Sequence, residues 1–152
     1  MKKLLSIVAL AVGLGTGGAA MAETGMQHVA AEGSVAEVAD RLSAIVEEAG
    51  ARVMARIDHG AGAVSVDSDI GGSELVIFGN PQVGTPVMEQ DRLAGFFLPL
   101  RVLVYEDEDG AVWLAYQEPS EMLAPLGDVA ESEAAGRLGG ALARFTEAAA
   151  TE

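Results

Sequence analysis

The run Leu75-Val76-Ile77-Phe78, preceded by Glu74 and closed by Gly79-Asn80-Pro81, constrains the fold more than any other part of the chain. Four large apolar residues in succession read as a buried strand, and glycine, asparagine and proline end it by turning the backbone. The surrounding segments must supply a sheet for this strand and a layer to cover it.

Those segments are legible in order. Met26 to Ala31 is a short first strand. Ser34 with Glu37 three residues on is a capping box, and Val35, Val38, Leu42, Ile45, Val46 and Ala49 form one apolar stripe. That spacing predicts a helix over 35–49, stopped by Gly50. Residues 52–57 largely alternate, which predicts a half-buried strand with Val53, Ala55 and Ile57 on one face and Arg52, Met54 and Arg56 on the other. Gly60 to Gly72 is weakly patterned and is expected to be a loop with one short helical turn. Gly84 or Thr85, followed by Pro86 at a first helical position, predicts a short helix bearing Val87, Met88 and Leu93. Leu100 to Tyr105 and Val112 to Tyr116 flank Glu106-Asp107-Glu108-Asp109-Gly110, whose Asp-Gly pair is a hairpin signal. Trp113 and Phe78, placed on neighbouring strands, are expected inside. Asp128 with Glu131 announces a last helix over about 129–148, with Leu138, Ala141, Leu142 and Phe145 on its apolar face. Gly139-Gly140 in its middle implies a loose or a closely packed site, and residues 146–152 are expected to fray. Four strands after the first helix, the last two in a hairpin, argue for an antiparallel sheet.

The first 22 residues carry an address. Lys2 and Lys3 precede a mainly apolar run from Leu4 to Leu14, and Ala20-Met21-Ala22 is an A-x-A site, so a secretory signal peptide cut before Glu23 is expected. A membrane-spanning reading is weaker, because the run falls short of the ~20 apolar residues a spanning helix needs and glycines break it. Residues 23–152 then form a single α+β domain in the periplasm or outside the cell. Loss of Lys2 and Lys3 takes the net charge from −14 to −16 and leaves no lysine. Such a surface repels nucleic acid and anionic membranes, and its spread carboxylates suit solubility better than cation buffering. Without cysteine there is no lipid anchor, disulfide, thiolate metal site or CxxC pair. Without lysine there is no Schiff base and no phosphate-loop lysine.

Arg56-Ile57-Asp58-His59, the Glu74–Pro81 segment with Gly84-Thr85-Pro86-Val87-Met88, and Leu98-Pro99-Leu100-Arg101-Val102-Leu103-Val104 together resemble the bacterial domain-of-unknown-function family 302 over roughly residues 28–127. The resemblance implies a β-α-β-β-β-β-α order, a curved antiparallel sheet with helices packed on one face, and no established activity. It places His59, Asn80 and Thr85 in a shared motif. In the family pattern an acidic residue often stands where this chain has Phe97 and a basic one where it has Gln82, so this chain lacks the charges that a polar site at those positions would use.

Few residues could carry chemistry. His59 could act as a general base oriented by Asp58, or as a metal ligand; alternatively Asp58 caps the next turn and His59 satisfies a local carbonyl. Adjacent residues at a strand end tend to point apart, which weakens a direct couple. Asn80 and Thr85 could frame an anion site, or serve as structural caps. The acidic hairpin tip fails as an EF-hand, since aligning Gly110 with the loop glycine puts Tyr105 and Tyr116 at the ligand positions that require acids. Met26 and His28 would share a strand face and suit copper(I), although core or terminal packing is the better account of them. Ser65, Ser68 and Ser73 lack a nucleophile-elbow setting.

The reading favoured is a non-enzymatic exported module that self-associates or binds a partner or small ligand, with no cofactor. Its ligand-contacting candidates are Arg56, His59, Asn80, Thr85 and Arg101, and a homodimer would use the apolar doublet Phe96-Phe97. The alternatives are an enzyme built on His59 and Asp58 with Asn80, and a metal-binding accessory protein using Met26 and His28 or the carboxylates.

Overall fold

A computed structural model describes residues 25–151; the expected signal peptide and its cleavage point lie outside that range. Five strands, β1 (Met26–Ala31), β2 (Arg52–Asp58), β3 (Ser73–Gly79), β4 (Leu100–Glu106) and β5 (Val112–Gln117), form one antiparallel sheet in the order β1-β5-β4-β3-β2. The helices are α1 (Val35–Glu48), α2 (His59–Val64), α3 (Pro81–Gln90), α4 (Ala94–Phe97), α5 (Pro119–Met122) and α6 (Glu133–Ala149), with a 3-10 segment at Ala124–Glu131. The expected α+β class and strand-helix order are present, with the short helices α2 to α5 added in the connections.

The core lies between one face of the sheet and the layer made by α1 and α6, which pack on each other. Val76 and Phe78 of β3, Val102 and Val104 of β4 and Leu114 of β5 are fully or almost fully buried there against Val38, Leu42 and Val46 of α1 and Leu138 and Leu142 of α6. Phe78 meets Phe145 edge to face, with ring centroids 6.0 Å apart. The helix α1 begins as its sequence dictates: the Ser34 side chain accepts from the Glu37 N–H and the Glu37 carboxylate accepts from the Ser34 N–H. The Ser34 backbone N–H first, then the Ser34 hydroxyl, which also donates to the carboxylate, hold the Glu37 carboxyl below the usual glutamate range.

Several expectations need correction. The alternation of β2 is broken by a bulge between Val53 and Ala55, so Val53 pairs with Phe78 on the core face while Ala55 and Ile57 turn to the opposite one. Arg56 returns to the core side. The helix α3 starts at Pro81 rather than at Gly84 or Thr85: Asn80 is its cap, Pro81 its first residue, and Pro86 sits inside it. The last helix starts at Glu133, because Ser132 accepts from the Ala135 N–H and is its cap, whereas Asp128 and Glu131 belong to the preceding 3-10 segment.

The end of α6 is held rather than frayed through most of the expected stretch. Thr146 and Ala149 are fully buried, and the Arg41 side chain donates to the Ala149 carbonyl at 3.1 Å and to the Glu32 carbonyl. A cation on the last carbonyls of a helix suits its dipole. Trp113 is half-buried on the face away from the helices, and β4 separates its strand from that of Phe78. The expectation that the two rings share an interior fails because Phe78 points to the helix side of the sheet and Trp113, paired with Tyr105, to the other side.

Candidate functional site

Hydrogen-bond register alone separates the residues singled out in the sequence. Arg52 pairs with Gly79 at one end of the β2–β3 ladder and Asp58 with Glu74 at the other. At ~3.3 Å per residue these ends lie ~20 Å apart, which puts Asn80 and Thr85 at one edge of the sheet and His59 with Asp58 at the opposite edge. Arg101 stands opposite Ile77 on the face away from the helices. The five candidates therefore fall in three places.

At the His59 end the polar groups have structural partners. The Asp58 carboxylate caps α2 by accepting from the Ala61 N–H at 2.7 Å, and His59 is the exposed first residue of that helix. Arg56 donates to both oxygens of Glu74, through Nε and, at 3.0 Å, through Nη2, and its Nη1 reaches Asp40 Oδ1 of α1. Glu74 first, then Asp40, holds the guanidinium protonated beyond the ordinary arginine value. This three-residue cluster fastens α1 to the β2 edge.

Met26 and His28 do share a face of β1, but His28 Nδ1 lies 3.3 Å from the Tyr105 hydroxyl, with the two rings edge to face across the small Ala115. Among the described residues no three histidine or acidic side chains cluster as metal ligands would.

At the Asn80 end a cavity of about 340 Å³ lies under α3. Its floor is the buried set Phe78, Leu100, Leu138 and Phe145; the exposed Met54, Thr85, Gly95 and Arg144 mark its mouth. Asn80 lines it with both functions of its side chain engaged: Oδ1 accepts from the Gln82 N–H at 2.9 Å and Nδ2 donates to the Gly50 carbonyl at 3.1 Å. Met88 and Leu98 complete the walls. Sequence reasoning missed Arg144, although an arginine beside Phe145 at the edge of an apolar helical stripe was a usable signal. A second cavity, of about 180 Å³, opens where β4 and β5 splay, between Arg101, Met26 and Leu103 on one side and Met122 and Leu142 on the other.

The remaining feature is the bare face of the sheet. Met26, His28, Ala55, Ile57, Leu75, Ile77, Leu103, Tyr105, Trp113 and Ala115 lie on it, Arg52 and Arg101 are the charged residues at its strand positions, and no aspartate or glutamate side chain comes from them. Phe96 and Phe97 are elsewhere and part company: Phe96 is 85% exposed, whereas Phe97 is half-buried against the core.

An open five-stranded antiparallel sheet with helices on one face is an α+β domain, and this one carries a cavity under α3 and a sheet face without helices. The chain belongs to the family described as Domain of unknown function DUF302, whose profile matches residues 27–149. Its fold is that of an uncharacterized conserved protein DUF302 from Bacillus stearothermophilus, with a TM-score of 0.76 at 20% identity over 83% of this chain and 98% of that one. The chain is also 41% identical, over 102 residues and 67% of its length, to proteins named Fluoride-specific ion channel FluC 1 in Brucella suis biovar 1 (strain 1330) and Brucella abortus biovar 1 (strain 9-941). The matches cover 40% and 38% of those proteins, so the chain spans well under half their length. Among the described residues no helix is long and apolar enough to cross a membrane.

Proposed function

We propose that this chain is a non-enzymatic, exported binding module that pairs with a second copy through the bare face of its sheet. One observation carries the reading: in a chain with 23 acidic residues, the strand positions facing away from the helices include none. A solvated face would share in the acidity, whereas a covered one excludes it. Five strands at ~4.8 Å spacing and ~6 residues at ~3.3 Å give roughly 24 by 20 Å of flat area. Side-chain relief brings that into the range of the ~600–1,000 Å² per partner that stable interfaces bury. The doublet at Phe96-Phe97 offers a single exposed ring, so the sheet face is the larger candidate. Export rests on the Lys2-Lys3, apolar-run and A-x-A pattern.

The enzyme reading lacks support, since a site using His59 and Asp58 with Asn80 would have to span the length of β2. Sedimentation velocity of the exported protein should give a dimer, and Leu103→Glu should give a folded monomer. A monomeric wild type, or a dimer indifferent to Leu103→Glu, would contradict the proposal. A second reading rests on the channel-named relatives: this face would dock on another protein, which the monomer outcome would favour. Mass spectrometry of the exported chain should find Glu23 at its start.

A further inference from the structure

We infer that the cavity under α3 is a binding site for a small single-chain amphiphile with one anionic group, a medium-chain aliphatic carboxylate, whose tail lies on Phe78, Leu138 and Phe145 and whose carboxylate meets Arg144. At about 340 Å³ the space is at the small end of ligand pockets, ~300–1,000 Å³. A two-tailed lipid is too large for it. The floor is apolar, so the buried part of an occupant must be apolar too.

Charge fixes the other end. Although acidic residues outnumber basic ones by 23 to 9, none lines this cavity, and Arg144 is its single charged residue. Arg56 and Arg137 are in ion pairs; among the described residues Arg144 is in none. Its guanidinium carbon instead stands 5.8 Å from the centroid of the Phe145 ring, which is part of the floor. A cation at the rim of an apolar pocket, one helical position from the ring that forms its base, suits a head group of opposite sign with its tail directed inward. Thr85 at the mouth adds a hydroxyl. The walls can adapt, because Met54 and Met88 are unbranched and flexible. Nor is the space filled by backbone demands: Gly84 faces it across 3.6 Å from a would-be Cβ to Leu98, ordinary contact distance.

The test is calorimetric titration of the full chain with decanoate below its micellar concentration, beside decanol and decylamine. Decanoate should bind, decanol about tenfold more weakly, and decylamine not measurably, a charged hydrogen bond accounting for that ratio. Arg144→Gln should weaken decanoate about tenfold with an unchanged melting midpoint. Ala141→Phe, which fills the cavity from α6, should abolish binding, and amide shifts on decanoate addition should centre on Val83, Thr85 and Ala141. Leu103→Glu should leave the affinity intact, which keeps this outcome separate from pairing through the sheet face. No decanoate binding, equal binding of decylamine, indifference to Arg144→Gln, or shifts confined to the sheet face would each overturn the assignment.

Discussion

Asp107 shows how much one side chain organises. Its carboxylate accepts from the Trp113 indole N–H at 2.7 Å and from the backbone N–H groups of Ala111 and Asp109 at 2.8 and 3.0 Å, which closes the β4–β5 hairpin. The indole bond first, then the Ala111 amide, pulls the Asp107 carboxyl below the ordinary aspartate range. A depressed folded-state value stabilises the fold above the unfolded-state pKa, and the gain is lost as pH falls through the folded one. Trp113 is the sole tryptophan, so its emission should hold steady through the normal aspartate range and shift only in more acid solution; Asp107→Ala should show the shifted emission at neutral pH. In the core, Phe78→Ala should cost ~3–5 kcal/mol in denaturant melts, because a ring 1% exposed leaves a cavity. The burial of Phe78 was legible from its apolar run. The position of Trp113 was not, since alternation along β5 marks two faces without saying which one the helices cover.

Elements whose signals are local were readable, and those decided by distant partners were not. The capping box of α1 needs only Ser34 and Glu37, and both bonds are present. For α3 the chain offers two cap-proline pairs, Asn80-Pro81 and Thr85-Pro86, that local rules rank alike. Asn80 has the additional bond to Gly50, thirty residues away, and this favours the earlier start. Asn80→Ala should therefore cost ~1–3 kcal/mol, a lost cap plus a lost hydrogen bond, read as a lower denaturation midpoint. The glycine pair of α6 divides in the same way. A Cβ at Gly139 would lie 2.5 Å from a carboxylate oxygen of Glu118, whereas at Gly140 it would meet nothing within 4 Å. Gly140→Ala should accordingly stabilise by ~0.8–1 kcal/mol, the helix-propensity difference, and Gly139→Ala should not. The bulge after Val53 left no mark in residues 52–57, whose alternation looked regular.

The whole molecule is set by its acidity and by surfaces assembled from distant segments. With a net charge of −14 the folded chain repels itself, and added salt screens that repulsion. The melting midpoint should rise between low and physiological ionic strength, and a salt-insensitive melt would show the carboxylates to be neutralised locally. The sheet order and the cavity were beyond local reading: Phe78, Leu98, Leu138 and Arg144 come from β3, the α4–β4 junction and α6, and only strand pairing and helix packing bring them together. That space also has a mechanical consequence. Water packs loosely against the apolar walls of such a recess, so unfolding that disperses them lowers the combined volume of chain and water, and hydrostatic pressure favours it. Compressed in solution, the protein should open first around α3. A bound tail should reduce the volume difference and with it the sensitivity to pressure.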